Sequence, residues 1–222
     1  MNQSQTAATL RPHTSEWFNA LSHGTGALMA VLGMALLMQR AQSVPAQIAF
    51  FIYGVSLIVL MVSSTVYHSL LHRERVRVVL QRIDHISIYL LIAGTYTPPC
   101  VMSVPPRWGM PLLALVWVIA AAGTVLTIWM PERSRIWSVA LYLAMGWAVV
   151  LVLPALLEHV PPGGLWLLVS GGLAYTLGAI IYAARRPDPL PAWFGFHGLW
   201  HVLVLAGAAL HFLFVAIYVP VA

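Results

Sequence analysis

The chain has 222 residues, 60% of them hydrophobic and only 8% charged, against about 25% charged in a soluble domain. With a mean hydropathy of +0.85 it reads as an integral membrane protein. All 11 basic residues are arginine, which excludes a retinal Schiff base, a pyridoxal-phosphate lysine, a Walker A lysine and a lysine nucleophile, since each needs a primary amine.

Residues 1–15 form a polar tail without the basic start of a secretory signal, and the first apolar run is too long for a signal core, so no cleaved leader is expected. Seven apolar segments then follow, each of about 20 residues and long enough to cross the hydrocarbon as a helix. They are Trp17 to Gln39, Ala46 to Leu71, Ile83 to Ser103, Gly109 to Met130, Ile136 to Leu157, Gly164 to Ala184 and Phe196 to Val219. Pro45, Pro105, Pro106, Pro131, Pro161, Pro162, Pro187, Pro189 and Pro191 mark the joints. Pro154 lies inside a segment, where it should kink the end of the fifth helix. Gly171, Gly172 and Gly178 suit close packing of the sixth. Trp17, Trp108, Trp137, Trp166 and Trp193 lie near segment ends and read as interface anchors.

The net charge of +5 sits in short loops between apolar runs, where it orients a membrane protein instead of binding nucleic acid. With the N-terminus cytoplasmic, Arg11, Arg73, Arg75, Arg77, Arg82, Arg133, Arg135, Arg185 and Arg186 lie inside, and only Arg40 and Arg107 outside. The expectation is an all-α bundle of seven transmembrane helices over residues 16–222, N-terminus in and C-terminus out, in the cell membrane.

Ionisable groups inside spanning helices are costly and usually functional. The second segment carries Ser64 and His68 near its cytoplasmic end, the third starts with Asp84, the seventh starts with His197 and His201, and the first starts with Glu16, Asn19 and His23. Four helices thus place their rare polar residues at one depth. His197 and His201 are four apart, on one face and about 6 Å apart along the axis. Such a pair can chelate one metal ion, and His68 supplies a third ligand. Cys100 is the only thiol, so a multi-thiolate site is excluded. Three histidines leave one position open, the catalytic form of a zinc site, next to which Asp84 can accept a proton from water and Ser64 can orient an oxygen.

Plainer roles suit the same residues. The His pair can hydrogen-bond across helices, Ser64 can bond its own helix carbonyl, Asp84 can pair with Arg82, and Glu16 suits a helix start. His72 and His85 read as interfacial, and His13 and His159 as outside the spans. His211, ten residues beyond His201, is about 15 Å away along the axis, too far to share an ion.

Taken in order, Glu16, Asn19 and His23, then Ser64, His68 and Asp84, then His197 and His201 resemble the three motifs of the progestin and adipoQ receptor superfamily, and most closely its bacterial hemolysin III-like branch. The runs 63–68 and 93–98 and the pair Asp84-His85 are similar to that branch too. The resemblance implies a seven-helix bundle with Zn²⁺ held by His68, His197 and His201, with Asp84 and Ser64 binding water beside it and Glu16, Asn19 and His23 in support. Because the superfamily includes alkaline ceramidase-like enzymes, it further implies metal-dependent hydrolysis of a lipid amide or ester, with membrane lipid as the partner. A cytolytic or pore-like protein and a non-catalytic receptor or sensor of membrane state are the alternatives. Against a wide pore, the outer halves of the spans carry almost no ionisable residue besides His211.

Overall fold

The structure, a computed structural model, describes residues 13–70, 74–130, 134–190 and 193–222. Arg11, His72, Arg73, Pro131, Arg133, Pro191 and nearly all of the polar tail lie outside the described residues. Among the described residues the chain forms seven helical rods: α1 His13–Arg40, α2 Val44–Ser69, α3 Glu74–Met102, α4 Pro106–Trp129, α5 Arg135–His159, α6 Pro162–Ala184 and α7 Phe196–Tyr218.

The helix starts follow local chemistry. Ser43 caps α2 through a 3.3 Å bond from the Ala46 N–H to its Oγ, and Pro45 sits in the first turn. Pro106 and Pro162 open α4 and α6, where a missing N–H costs nothing. Arg185 ends α6 in the left-handed conformation, with φ of 55°.

Short joints make sequential helices antiparallel neighbours, and α1 also packs against α7. The most enclosed helix is α2, with Phe50, Tyr53, Met61 and Ser64 all buried. Gly94 of α3 lies so close to Ser56 of α2 that a methyl group there would overlap the hydroxyl. Trp17, Trp108, Trp137, Trp166 and Trp193 are exposed, as lipid-interface anchors should be.

Six helices are long and apolar enough to cross a membrane, and α3 is the exception. It begins at Glu74, well before the expected Ile83, so Arg77 and Arg82 are carried on the same rod as the apolar stretch. Its inner part buries Ser87, Tyr89, Ala93 and Thr97 against neighbouring helices, and a helix sheltered by protein can be less apolar than one facing lipid.

The expected kink in α5 is a change of helix type. Arg135–Gly146 is α-helical, Trp147–Val152 is 3-10, and Leu153–His159 is α-helical again. Pro154 has no N–H for the carbonyl at 150, and its ring crowds that carbonyl, so the preceding turn tightens. The Tyr96 hydroxyl of α3 fills the break, donating to the carbonyls of Gly146 at 2.6 Å and Met145 at 3.1 Å, and accepting from the Val149 N–H at 2.9 Å.

Candidate metal centre

The start of α7 is held in place before any metal chemistry is considered. Asp188, in the α6–α7 connection, accepts the N–H of Phe196 at 2.8 Å, satisfying a donor that a helix start leaves free. Phe194 packs edge-on against Phe18 of α1, with ring centroids 4.9 Å apart. His197 and His201 then follow in the first turns, one turn apart, with ring centroids separated by 4.9 Å.

His68 enters from the last turn of α2, and its Nε2 lies 3.3 Å from Nε2 of His197. One potential ligand atom from each of His68, His197 and His201 lies within 4.8 Å of the others. The Glu16 carboxylate of α1 accepts from Nδ1–H of His68 at 2.5 Å. That proton on Nδ1 leaves a lone pair on Nε2, the atom facing His197. A buried imidazole with its lone pair toward two others and a carboxylate behind it is the usual setting of a metal-ligating histidine. The donor set fits a divalent ion that favours imidazole.

Asn19 and His23, one turn apart on α1, are both buried here. The His23 ring stacks on His201 with centroids 3.8 Å apart, and neither of its nitrogens has a hydrogen-bond partner, nor does Oδ1 of Asn19. Ser64 of α2 and Asp84 of α3 interact at the end of the cavity that both line, and among the described residues no ion pair joins Asp84 to Arg82. All eight motif residues therefore meet at one end of the bundle.

A cavity of about 510 Å³ opens beside them. Ser64, Asp84, His197 and His201 line one end, and Ile88, Leu91, Val139 and Val204 line its apolar length. His85, expected at the interface, also lines this cavity, while His159 closes α5 on the exposed surface. His211 lines the cavity as well, away from the three-histidine cluster.

The Haemolysin-III related family matches residues 12–212. The chain belongs to this family. It is 36% identical over 204 residues to Hemolysin-3 of Bacillus cereus, covering 90% of each chain. It is 35% identical to the Hemolysin-3 homolog of Bacillus subtilis, covering 90% of this chain and 92% of that one. It is 28% identical to human Monocyte to macrophage differentiation factor, over 87% of this chain and 80% of the relative. These matches place it in the hemolysin III and progestin and adipoQ receptor superfamily. Together with its apolar helices they make it an integral, multi-pass membrane protein.

Two residues that position the site were missed in the sequence. Tyr96 clamps the break in α5, and Pro154 signalled the break but not the clamp, since its missing N–H concerns the carbonyl at 150, which the Leu153 N–H satisfies, whereas Tyr96 holds those at 145 and 146. Asp188 caps α7 from eight residues upstream, and its place just before a helix start was the available clue.

Proposed function

We propose that the chain is a zinc-dependent hydrolase of a lipid amide or ester, working inside the membrane as a seven-span bundle with its N-terminus cytoplasmic. The observation that carries this reading is the meeting of His68, His197 and His201 beside a cavity whose same end holds Asp84 and Ser64. His68, His197 and His201 would hold the ion, with Glu16 fixing the orientation of His68. When bound, zinc supplies Lewis acidity that acidifies water and polarises a carbonyl. Asp84 then takes a proton from water at its carboxylate and returns it to the leaving nitrogen or oxygen. Ser64, which interacts with Asp84 and lines the same end of the cavity, would orient that carboxylate. The apolar length of the cavity would accommodate an acyl chain.

The orientation follows from charge. Arg77, Arg82, Arg135, Arg185 and Arg186 share the end that carries the histidines, and Arg40 and Arg107 lie at the other. Alkylation of single cysteines placed in the tail and after Tyr218, in intact cells, tests this, since only the second should react from outside.

The test of function is metal content of the detergent-purified protein beside a His68→Ala, His197→Ala, His201→Ala variant, followed by turnover of lipid amides. About one zinc per chain, lost in the variant, is the expected result. Equal metal in both proteins sinks the site. The name of the Bacillus cereus relative favours a second reading, a lytic membrane protein. Leakage of dye from vesicles reconstituted with the purified chain, independent of the histidines, would support lysis over hydrolysis.

A further inference from the structure

The arginines at the histidine-bearing end of the bundle fall into two settings. Arg185 and Arg186 follow α6 on the exposed surface, where a charge orients the chain and needs no partner. Arg82 and Arg135 are half-buried and line the cavity. Arg135, the first residue of α5, is fixed there: its guanidinium carbon lies 4.8 Å from the centre of the Tyr182 ring, and its Nη1 donates to the Tyr182 carbonyl at 3.2 Å. That bond uses one N–H of a fork that carries several. The Tyr182 ring is in turn 5.6 Å from that of His197, so the guanidinium carbon is at most about 10 Å from the His197 ring, the two spans laid end to end. Arg82 enters from α3, two residues and about 3 Å of rise before Asp84. Its Nε has no hydrogen-bond partner, and among the described residues neither arginine pairs with a carboxylate. Of the acids among the described residues, Asp84 alone lines the cavity. A half-buried cation at membrane depth without a counter-charge is costly, and an anion in the cavity would offset that cost.

We propose that Arg82 and Arg135 form an anion subsite at the histidine end of the cavity, which takes the phosphate of a phospholipid whose acyl amide or ester bond lies at the histidine cluster. This rests on the reading of the cavity as a lipid site and names the substrate class within it. The spacing suits that class. In a glycerophospholipid or an N-acyl phosphoethanolamine lipid, about four or five bonds of about 1.5 Å separate the acyl-bearing oxygen or nitrogen from phosphorus, a reach of about 5–7 Å. That reach falls within the distance from the His197 ring to the Arg135 guanidinium. Guanidinium suits phosphate because its planar fork gives paired, charge-assisted hydrogen bonds. The acyl chain would then run along Ile88, Leu91 and Val204, with headgroup and chain held on opposite sides of the bond to be cut.

Equilibrium binding of two radiolabelled lipids to the purified chain in neutral detergent, with and without zinc, tests this: 1-O-hexadecylglycerol and its 3-phosphate, whose ether linkage resists hydrolysis. The phosphate should bind roughly 10- to 100-fold tighter, the worth of charge-assisted hydrogen bonds. In Arg82→Gln and in Arg135→Gln that preference should fall at least about 5-fold, while hexadecylglycerol affinity stays within about twofold as the sign of an intact cavity. In Arg186→Gln, which removes the same charge from the exposed surface, the preference should stay. Equal affinity for both lipids in the unmodified chain overturns the subsite without any variant having to fold. A preference lost equally in Arg186→Gln overturns it in favour of general surface attraction. A preference kept in both cavity variants but lost on removing zinc overturns it too, placing the phosphate on the metal. Inorganic phosphate that competes as well as the lipid phosphate at the same concentration would make free phosphate the ligand and overturn the lipid claim. No binding of either lipid overturns the lipid reading of the cavity and the subsite together. A phosphate preference carried by both arginines in a chain that hydrolyses no lipid supports the subsite and removes the hydrolase reading alone.

Discussion

Glu16 Oε2 lies 2.5 Å from His68 Nδ1, so the first helix of the bundle holds the imidazole that the second contributes to the cluster. The His68 side chain is 3% exposed and that of Glu16 22% exposed, which keeps the bond largely out of water. Glu16→Gln keeps an acceptor for the ring proton but removes the charge that makes His68 a stronger ligand. Metal affinity should fall about 10- to 100-fold, as for other supporting carboxylates. Competition against a chelator of known affinity measures it, and unchanged affinity would confine Glu16 to the helix contact.

Asp84 touches Ser64 and lines the cavity without belonging to the three-histidine cluster, so its role separates from metal binding. Asp84→Asn should retain zinc and lose lipid amide turnover by about 10²- to 10⁴-fold, the range of a lost proton-transfer group. Zinc lost along with activity would make Asp84 a ligand instead.

Tyr96→Phe deletes one hydroxyl and three bonds, taking the donor from the Gly146 carbonyl and the acceptor from the Val149 N–H, while Met145 keeps the Trp147 N–H. A cost of about 1–3 kcal/mol is expected. Thermal unfolding in detergent should show a lower midpoint, with zinc stoichiometry unchanged at low temperature. A midpoint equal to that of the unmodified chain would mean that the 3-10 turn needs no clamp beyond Pro154.

Asp188→Ala removes the cap of α7 at a cost of about 1 kcal/mol. His197 is the next residue after the capped one, so fraying of this turn should speed metal loss to a chelator by a few fold, and Asp188→Asn should restore most of the lost retention. Equal loss in both variants would assign the effect to charge.

The histidine cluster was legible because each contributor stands near a helix end at a common depth, so His68, His197 and His201 could be brought together by counting turns. The bond from Glu16 to His68 was not legible, because spacing within one helix says nothing of the rotation of another. The same holds for His23, which reads as a helix contact and in fact stacks on a cluster member. Hydropathy located the apolar part of α3 but not its start, since it measures fit to hydrocarbon, while a helix continues through Arg82 and Arg77 as long as its backbone bonds do. For α5, Pro154 announced a disturbance, and the form it took depended on Tyr96, more than 50 residues earlier in the chain.

At Gly146, where α5 changes its winding beside the cavity, a β-carbon would meet no atom within 4 Å. The backbone there is ordinary right-handed helix, with φ of −63° and ψ of −36°, so larger side chains fit without strain. On the proposed reading of the cavity as an acyl-chain site, this exposed position on its rim is where alanine, valine and leucine would test whether side-chain size tunes acyl-length preference.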